Sequence, residues 1–244
     1  MQNNSEDLKK TTYKFLDIIL VFYVLLLVLS NIASSAKIVE WGINLGTVPL
    51  SFDAGTLLFP ISYVIGDVMT EVYGFKRARR IIWIGFCALI FSALAFKLVQ
   101  VMPGESSWQT NVGQQAYDQV LGSISSGSIV LASLAGYIAG SFSNAILMAF
   151  MKVLTKGKML WSRTIGSTIV GEAVDTFSFI LVASALGVFP WRLFWSLTIT
   201  NYIFKVGIEV AVTPLTYWVV NKLKKAEGVD IFDQSTSLSP FKFS

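Results

Sequence analysis

The chain has 244 residues, of which 54% are hydrophobic and only 14% are charged, with a formal net charge of +4. Soluble globular proteins average about 25% charged residues, so this composition excludes an ordinary soluble enzyme, a nucleic-acid-binding domain and a disordered protein. It indicates a membrane protein. The sequence has no histidine, which also excludes Ser-His triads and histidine-based metal sites.

Six apolar stretches are long enough to cross a bilayer as helices, which takes about 20 mostly apolar residues. In chain order they cover residues 15–36, 56–73, 81–101, 126–151, 164–187 and 192–220. We therefore predict an all-α, polytopic membrane protein with six transmembrane helices. It divides into an N-terminal segment at 1–14, a six-helix transmembrane domain at 15–222 and a tail at 223–244. The tail has no hydrophobic periodicity, and its composition predicts that it is disordered.

Lysine and arginine are concentrated on one side of this predicted topology. Of the 19 such residues, only Lys37, Lys97 and Arg192 fall on the opposite side and Lys205 lies within the last span, which leaves 15 on the side of the N-terminus. By the positive-inside rule, both termini are predicted to be cytoplasmic. An alternative is that the first span is a cleaved secretory signal ending near Ser34, but its apolar run is longer than a usual signal core.

Ionisable residues lie inside three of the predicted spans, although an unpaired charge in a bilayer is energetically costly. They are Asp67 and Glu71 in the second span, Glu172 and Asp175 in the fifth, and Lys205 and Glu209 in the sixth. Counting along each span places most of them near mid-membrane, where transporters commonly bind solutes. Spacings of three or four residues put each pair on one helix face, and Asn201 extends the stripe of Lys205 and Glu209.

These spans hold five carboxylates and one ammonium, an excess of four negative charges. We expect a solute site at which acids from separate spans meet, because packing alone does not require so many unbalanced acids. The alternative is a structural ion-pair network in which Lys205 pairs with Asp67 or Asp175. Glu71 lies near the basic cluster at 77–80, so an ordinary interfacial pair with that cluster is the simpler interpretation for this residue.

Small residues recur every four positions in the fourth span, at Ala132, Gly136 and Gly140, followed by Asn144. Such residues let helices approach closely, and helix packing accounts for the stripe by itself. The functional alternative is that this thin face opens onto the solute site, where Asn144 forms a hydrogen bond with the solute.

Several motifs together resemble one known family. They are Ser30-Asn31, Phe59-Pro60, Asp67-Val-Met-Thr-Glu71-Val-Tyr-Gly74, Ala78-Arg-Arg-Ile-Ile82, the stretch 132–144, Gly171-Glu-Ala-Val-Asp175-Thr176 and Asn201-Tyr-Ile-Phe-Lys205-Val206. In these motifs the chain resembles the queuosine precursor transporter family, a vitamin-uptake-type family of bacterial membrane proteins, over about residues 15–222. The resemblance implies a six-helix carrier in the bacterial inner membrane, similar in shape to the substrate-binding subunits of energy-coupling-factor importers.

The resemblance further implies import of a 7-deazaguanine: the cyano or aminomethyl precursor of queuosine, or queuine. We take nine residues as candidate substrate-binding residues and predict no catalytic residue, cofactor or metal. They are Asn31, Asp67, Glu71, Asn144, Glu172, Asp175, Asn201, Lys205 and Glu209. A carboxylate accepts two neighbouring N–H donors in a bidentate pair, so Glu172 or Asp175 is expected to bind the guanine-like edge.

Other function classes stay open at this point. The chain could act as a carrier alone, proton-coupled or facilitative, or as the specificity subunit of an ATP-driven vitamin or nucleobase importer; another small cationic heterocycle is an alternative solute. Bulky residues throughout 16–29 disfavour docking to an ATP-driven partner through small residues. Without histidine or a metal cluster, an intramembrane enzyme is disfavoured. The expected partners are the solute and the lipid bilayer, without nucleic acid, and homo-oligomerisation is left open.

Overall fold

Long apolar runs make this chain mainly helical. A computed structural model describes residues 13–45 and 48–242. The helices found there are α1 (Leu16–Ala36), α2 (Phe59–Tyr73), α3 (Phe75–Val101), α4 (Ser106–Asn111), α5 (Gly113–Ser125), α6 (Gly127–Leu154), α7 (Leu160–Ala185) and α8 (Phe194–Glu227). Two short strands, β1 (Ile38–Leu45) and β2 (Val48–Asp53), pair antiparallel between α1 and α2. The sequence analysis did not predict this hairpin.

Five stretches in the described part of the chain are long and apolar enough to cross a membrane. They are α1, α3, the run Gly113–Leu154 that ends with α6, α7, and the run Trp191–Glu227 that ends with α8. The predicted helical, polytopic class is therefore confirmed, with the β1–β2 hairpin in addition and with five long apolar stretches where six were predicted. The second predicted span differs, because α2 has only 15 residues and is about 22 Å long at 1.5 Å per residue. Its Val68, Met69 and Val72 are buried, so α2 lies inside the bundle.

The beginning of α1 and the end of α8 lie together at one end of the bundle. The backbone N–H groups of Lys14 and Phe15 donate to the Glu227 carboxylate at 2.9 and 2.8 Å. The hydroxyl of Tyr73, at the end of α2, donates to the same carboxylate at 2.8 Å. We call this the basic end, because Lys152 and Lys224 also lie there. That this end faces the cytoplasm remains a prediction from the positive-inside rule.

Helices α6 and α7 approach closely because glycines face the contact. A Cβ atom added to Gly136 would lie 2.7 Å from the Asp175 carboxylate, and one added to Gly171 would lie 2.7 Å from Cβ of Asn144. At Gly140, an added Cβ would collide with Cβ of Asp175 and lie 3.0 Å from the carbonyl oxygen of Gly171. The stripe of small residues therefore packs α6 on α7, and this packing fixes the positions of Asn144 and Asp175.

The tail after α8 turns back across the basic end. The Phe75 N–H donates to the Asp233 carboxylate at 2.9 Å. The Arg79 guanidinium donates to two tail carbonyls, those of Ser237 and Ser239, at 3.2 and 2.8 Å. The sequence predicted a disordered tail at 223–244. Helix α8 continues through residues 223–227, and the described residues after it form neither helix nor strand. These contacts nevertheless hold residues 229–242 in place.

Substitution of Gly140 by alanine tests the close approach of α6 and α7. We expect Gly140→Ala to destabilise the protein by about 1–3 kcal/mol, the usual range for overpacking a close contact. Gly207→Ala is the matched control, because a Cβ added to Gly207 in α8 meets nothing within 4 Å. Thermal unfolding of both variants in detergent measures the difference. Equal unfolding temperatures would contradict the packing described for Gly140.

Candidate functional site

Lys205 is the cation at the centre of a buried cluster between α7 and α8. Its ammonium pairs with the Asp175 carboxylate and lies 3.3 Å from Oε2 of Glu172. The Glu172 side chain is fully buried, the Asp175 side chain is 7% exposed and the Lys205 side chain is 25% exposed. Glu172 and Asp175 share one face of α7, as their spacing predicted, and that face contacts Lys205 of α8. One ammonium group therefore forms ion pairs with two carboxylates.

Glu209 adds a third acid to this cluster. It lies one turn beyond Lys205 on α8, is 9% exposed, and contacts the Thr168 hydroxyl and the Glu172 carboxyl of α7. The Tyr63 hydroxyl approaches Glu172 from α2. The cluster therefore holds three carboxyl groups against one ammonium. In surroundings of low polarity, such an excess needs protons or a ligand with positive or hydrogen-bond-donating groups to balance it.

Asp67 and Asn144 form a second buried pair, between α2 and α6. The Asn144 amide nitrogen donates to the Asp67 carboxylate at 2.8 Å, and the two residues are 4% and 3% exposed. The Asn144 amide oxygen accepts no hydrogen bond from the described residues. Because its nitrogen is fixed by Asp67, this oxygen is a buried acceptor with unused capacity.

A small cavity adjoins this pair. It lies among α1, α2, α3 and α6, and its lining includes Tyr23, Tyr63, Gly66, Tyr137 and Asn144. Its volume is about 30 Å³, enough for one or two water molecules and too small for a fused two-ring heterocycle. A solute of that size therefore fits this cavity only if the helices that line it move.

Glu71 lies away from the interior cluster, at the basic end. Its fully buried carboxylate pairs with the Arg163 guanidinium through bonds of 2.8 and 3.2 Å. Lys224 lies 2.6 Å and Lys152 3.6 Å from the same carboxylate. The expectation that Glu71 would pair with the basic cluster at 77–80 was wrong. Its partners come instead from α6, α7 and α8.

Two candidate residues lie apart from both groups of charges. The amide of Asn201 is exposed and donates to the carbonyl of Leu197 at 2.9 Å, within α8. The Asn31 amide donates to the Leu27 carbonyl at 2.9 Å, within α1. The predicted stripe on α8 therefore brings Lys205 and Glu209 into the cluster but not Asn201. Each four-residue step along a helix turns the side chain about 40° beyond a full turn. Asn201 is two such steps from Glu209, so it is rotated about 80° from Glu209 and lies off the interior face.

Comparison with known proteins identifies the family. A family model described as "Putative vitamin uptake transporter" matches residues 53–219, well over half of the chain. The chain belongs to this vitamin uptake transporter family. The matched segment includes Tyr63, the Asp67–Asn144 pair and the whole cluster around Lys205. The chain is therefore a multi-pass membrane protein, and the segment that matches the family includes the buried charges of the interior.

Two curated relatives of this vitamin uptake transporter carry the same name. A "Probable queuosine precursor transporter" of Bacillus subtilis (strain 168) is 27% identical over 169 residues, covering 69% of this chain and 71% of the relative. A protein of that name from Haemophilus influenzae is 28% identical over 169 residues, covering 68% of this chain and 67% of the relative. No solved structure matches the chain.

Removing the Glu71 charge tests the network at the basic end. Glu71→Gln leaves Arg163 with two nearby lysines and without its buried counter-charge. Breaking a buried pair in this way costs about 3–5 kcal/mol, so we expect a strong loss of stability in detergent. Asp17→Asn, which changes an exposed acid at the start of α1, is the control. An equal effect of the two substitutions on thermal unfolding would contradict a stabilising role for Glu71.

Proposed function

We propose that this vitamin uptake transporter imports a queuosine precursor, a 7-deazaguanine, across the bacterial inner membrane. The names of the two relatives point to this class of solute. The observation that carries the proposal is the buried excess of acids around Lys205, which the Asp67–Asn144 pair extends. Four helices, α2, α6, α7 and α8, contribute these side chains. A purely structural network of this size would be expected to balance its charges, as the basic end nearly does.

The chemistry of the solute matches the cluster. A guanine-like edge presents an N1–H and an exocyclic NH₂ side by side, and a carboxylate accepts both through charge-assisted hydrogen bonds. We assign this role to Glu172 or Asp175. Lys205, which pairs with both acids, then donates to the ring carbonyl. The free amide oxygen of Asn144 accepts a further N–H donor.

The excess of acids also suits a cationic solute. The aminomethyl precursor carries an ammonium group, and Glu209 supplies a third carboxyl group within the same cluster. Tyr63, which touches Glu172, offers an aromatic ring next to the acids. This arrangement provides separate groups for the ring edge and for the substituent on the ring.

Uptake by the purified chain in proteoliposomes tests the proposal. The labelled solute is 7-cyano-7-deazaguanine, and the competitors are 7-aminomethyl-7-deazaguanine, queuine and guanine, each at two pH values. We expect saturable uptake that the 7-deazaguanines inhibit, without an added ATP-driven partner. Uptake no faster than in empty liposomes would refute transport by this chain alone. Saturable uptake that only guanine inhibits would refute the proposed solute class.

Neutralising the acids of α7 tests the proposed site. We expect Glu172→Gln or Asp175→Asn to reduce uptake by at least tenfold, because a hydrogen bond to a charged group contributes about 1.5–3 kcal/mol. Asp17→Asn is the matched acid-to-amide control and should transport normally. Size-exclusion profiles establish that each variant is folded. Normal uptake by both α7 variants would place the solute elsewhere.

A further inference from the structure

An acid in the tail binds two lysines from different helices. The Asp230 carboxylate lies 2.5 Å from the ammonium of Lys152 in α6 and 2.8 Å from that of Lys224 in α8. Lys152 also donates to the carbonyl of Ile231 at 2.7 Å. Burial raises the pKa of Asp230, but the hydrogen bonds from the two lysines outweigh it and lower this pKa overall. The acid is therefore ionised and paired at neutral pH.

The same two lysines reach Glu71 in α2. Lys224 lies 2.6 Å from the Glu71 carboxylate, and Lys152 donates to the Glu71 carbonyl oxygen at 2.5 Å. The ammonium groups therefore stand between a tail acid and a buried acid of the bundle. Through them the tail is connected to α2 as well as to α6 and α8.

The turns between helices leave room for the tail. Gly74, between α2 and α3, has a φ of +80°, and a Cβ added there would lie 2.8 Å from Ile231. Gly157, between α6 and α7, has a φ of +76°, and an added Cβ would lie 2.8 Å from the Phe232 ring. Side chains are disfavoured at both positions by the backbone conformation and by the tail. The tail thus fits against two turns at once.

The following tail residues are attached to α3. Asp233 is 7% exposed as a residue, and its carboxylate accepts a hydrogen bond from the backbone N–H of Phe75, the first residue of α3. The Trp83 indole N–H donates to the carbonyl of Pro240 at 2.9 Å, and its ring lies 5.9 Å from that of Phe241. With the Arg79 bonds described above, these contacts fix the tail along about two turns of α3.

We propose that residues 229–242 form a strap that holds the basic end of the bundle closed and must detach to open the pathway from the interior cluster to that end. The inference rests on the proposed transport function. A solute that leaves the cluster at the basic end must pass between helices that the tail now ties together, α2, α3, α6 and α8. In the pair of Asp230 with Lys224, the side chains are 44% and 20% exposed, so water can compete for this contact. Lys152 is 1% exposed, and the Glu71 carboxylate 3.6 Å away remains near it as a counter-charge when Asp230 leaves.

Full-length variants with a weakened strap test the proposal. Asp230→Asn combined with Asp233→Asn removes both acids that attach the tail and changes its charge by +2. Gln234→Lys combined with Ser235→Lys changes the charge equally at two exposed positions and is the control. Hydrogen exchange reports on the tail and on the helix ends that it touches, and proteoliposome uptake of 7-cyano-7-deazaguanine reports on turnover.

In the strap variant we expect amide exchange at least tenfold faster in the tail and in the ends of α2, α3 and α8. Initial uptake at saturating solute should rise at least threefold, while the control variant matches the wild type in both measurements. Uptake at or below the wild-type rate despite a detached tail would overturn the proposal. If the wild type itself shows no uptake, the proposed transport function fails, and unchanged exchange at the helix ends would separately overturn the strap.

Discussion

A charge buried in apolar surroundings has to be paired or hydrogen-bonded, and this requirement decides how the helices of this protein are arranged. Arg163 of α7 meets it by binding Glu71 of α2 through two bonds. Lys205 of α8 meets it by pairing with Glu172 and Asp175 of α7. The first pair joins α2 to α7, 92 residues apart in the chain, and the second joins the consecutive helices α7 and α8. Both pairs fix which faces of these helices meet, and apolar packing fills the space around them.

The two groups of charges differ in how nearly their positive and negative charges balance. At the basic end, Glu71 and Asp230 face Arg163, Lys152 and Lys224, so opposite charges nearly cancel. Around Lys205, three carboxyl groups face one ammonium. A network whose charges nearly balance stabilises the bundle by itself. A network with excess buried acids needs bound protons or the hydrogen-bond donors of a solute to balance its charge. The family membership, which is that of transporters, agrees with the second description.

The sequence predicted what depends on local spacing. Hydrophobic length indicated the helical membrane class, the positions of Glu172 and Asp175 indicated a shared face, and the pairing of Lys205 with Asp175 was one of the two pairings considered. What it missed depends on contacts across the chain. The Arg163 partner of Glu71 is 92 residues away, Tyr63 resembles an ordinary apolar-helix aromatic, and the tail has no periodicity that would reveal its attachment to Arg79 or Trp83. The sequence also did not reveal how short α2 is, because the residues just before Phe59 include leucines and made the predicted span appear to begin at residue 56.

The position of α2 links events at the two groups of charges. Asp67 and Glu71 are four residues apart on this helix, a separation of about 6 Å along its axis, yet one binds Asn144 in the interior and the other binds Arg163 at the basic end. A single helical turn is too stiff to absorb a displacement between them. Any sliding of α2 that pulls Glu71 from its guanidinium partner therefore also shifts Asp67 against Asn144. Helix α2 would in this way transmit a displacement between the interior of the bundle and its basic end.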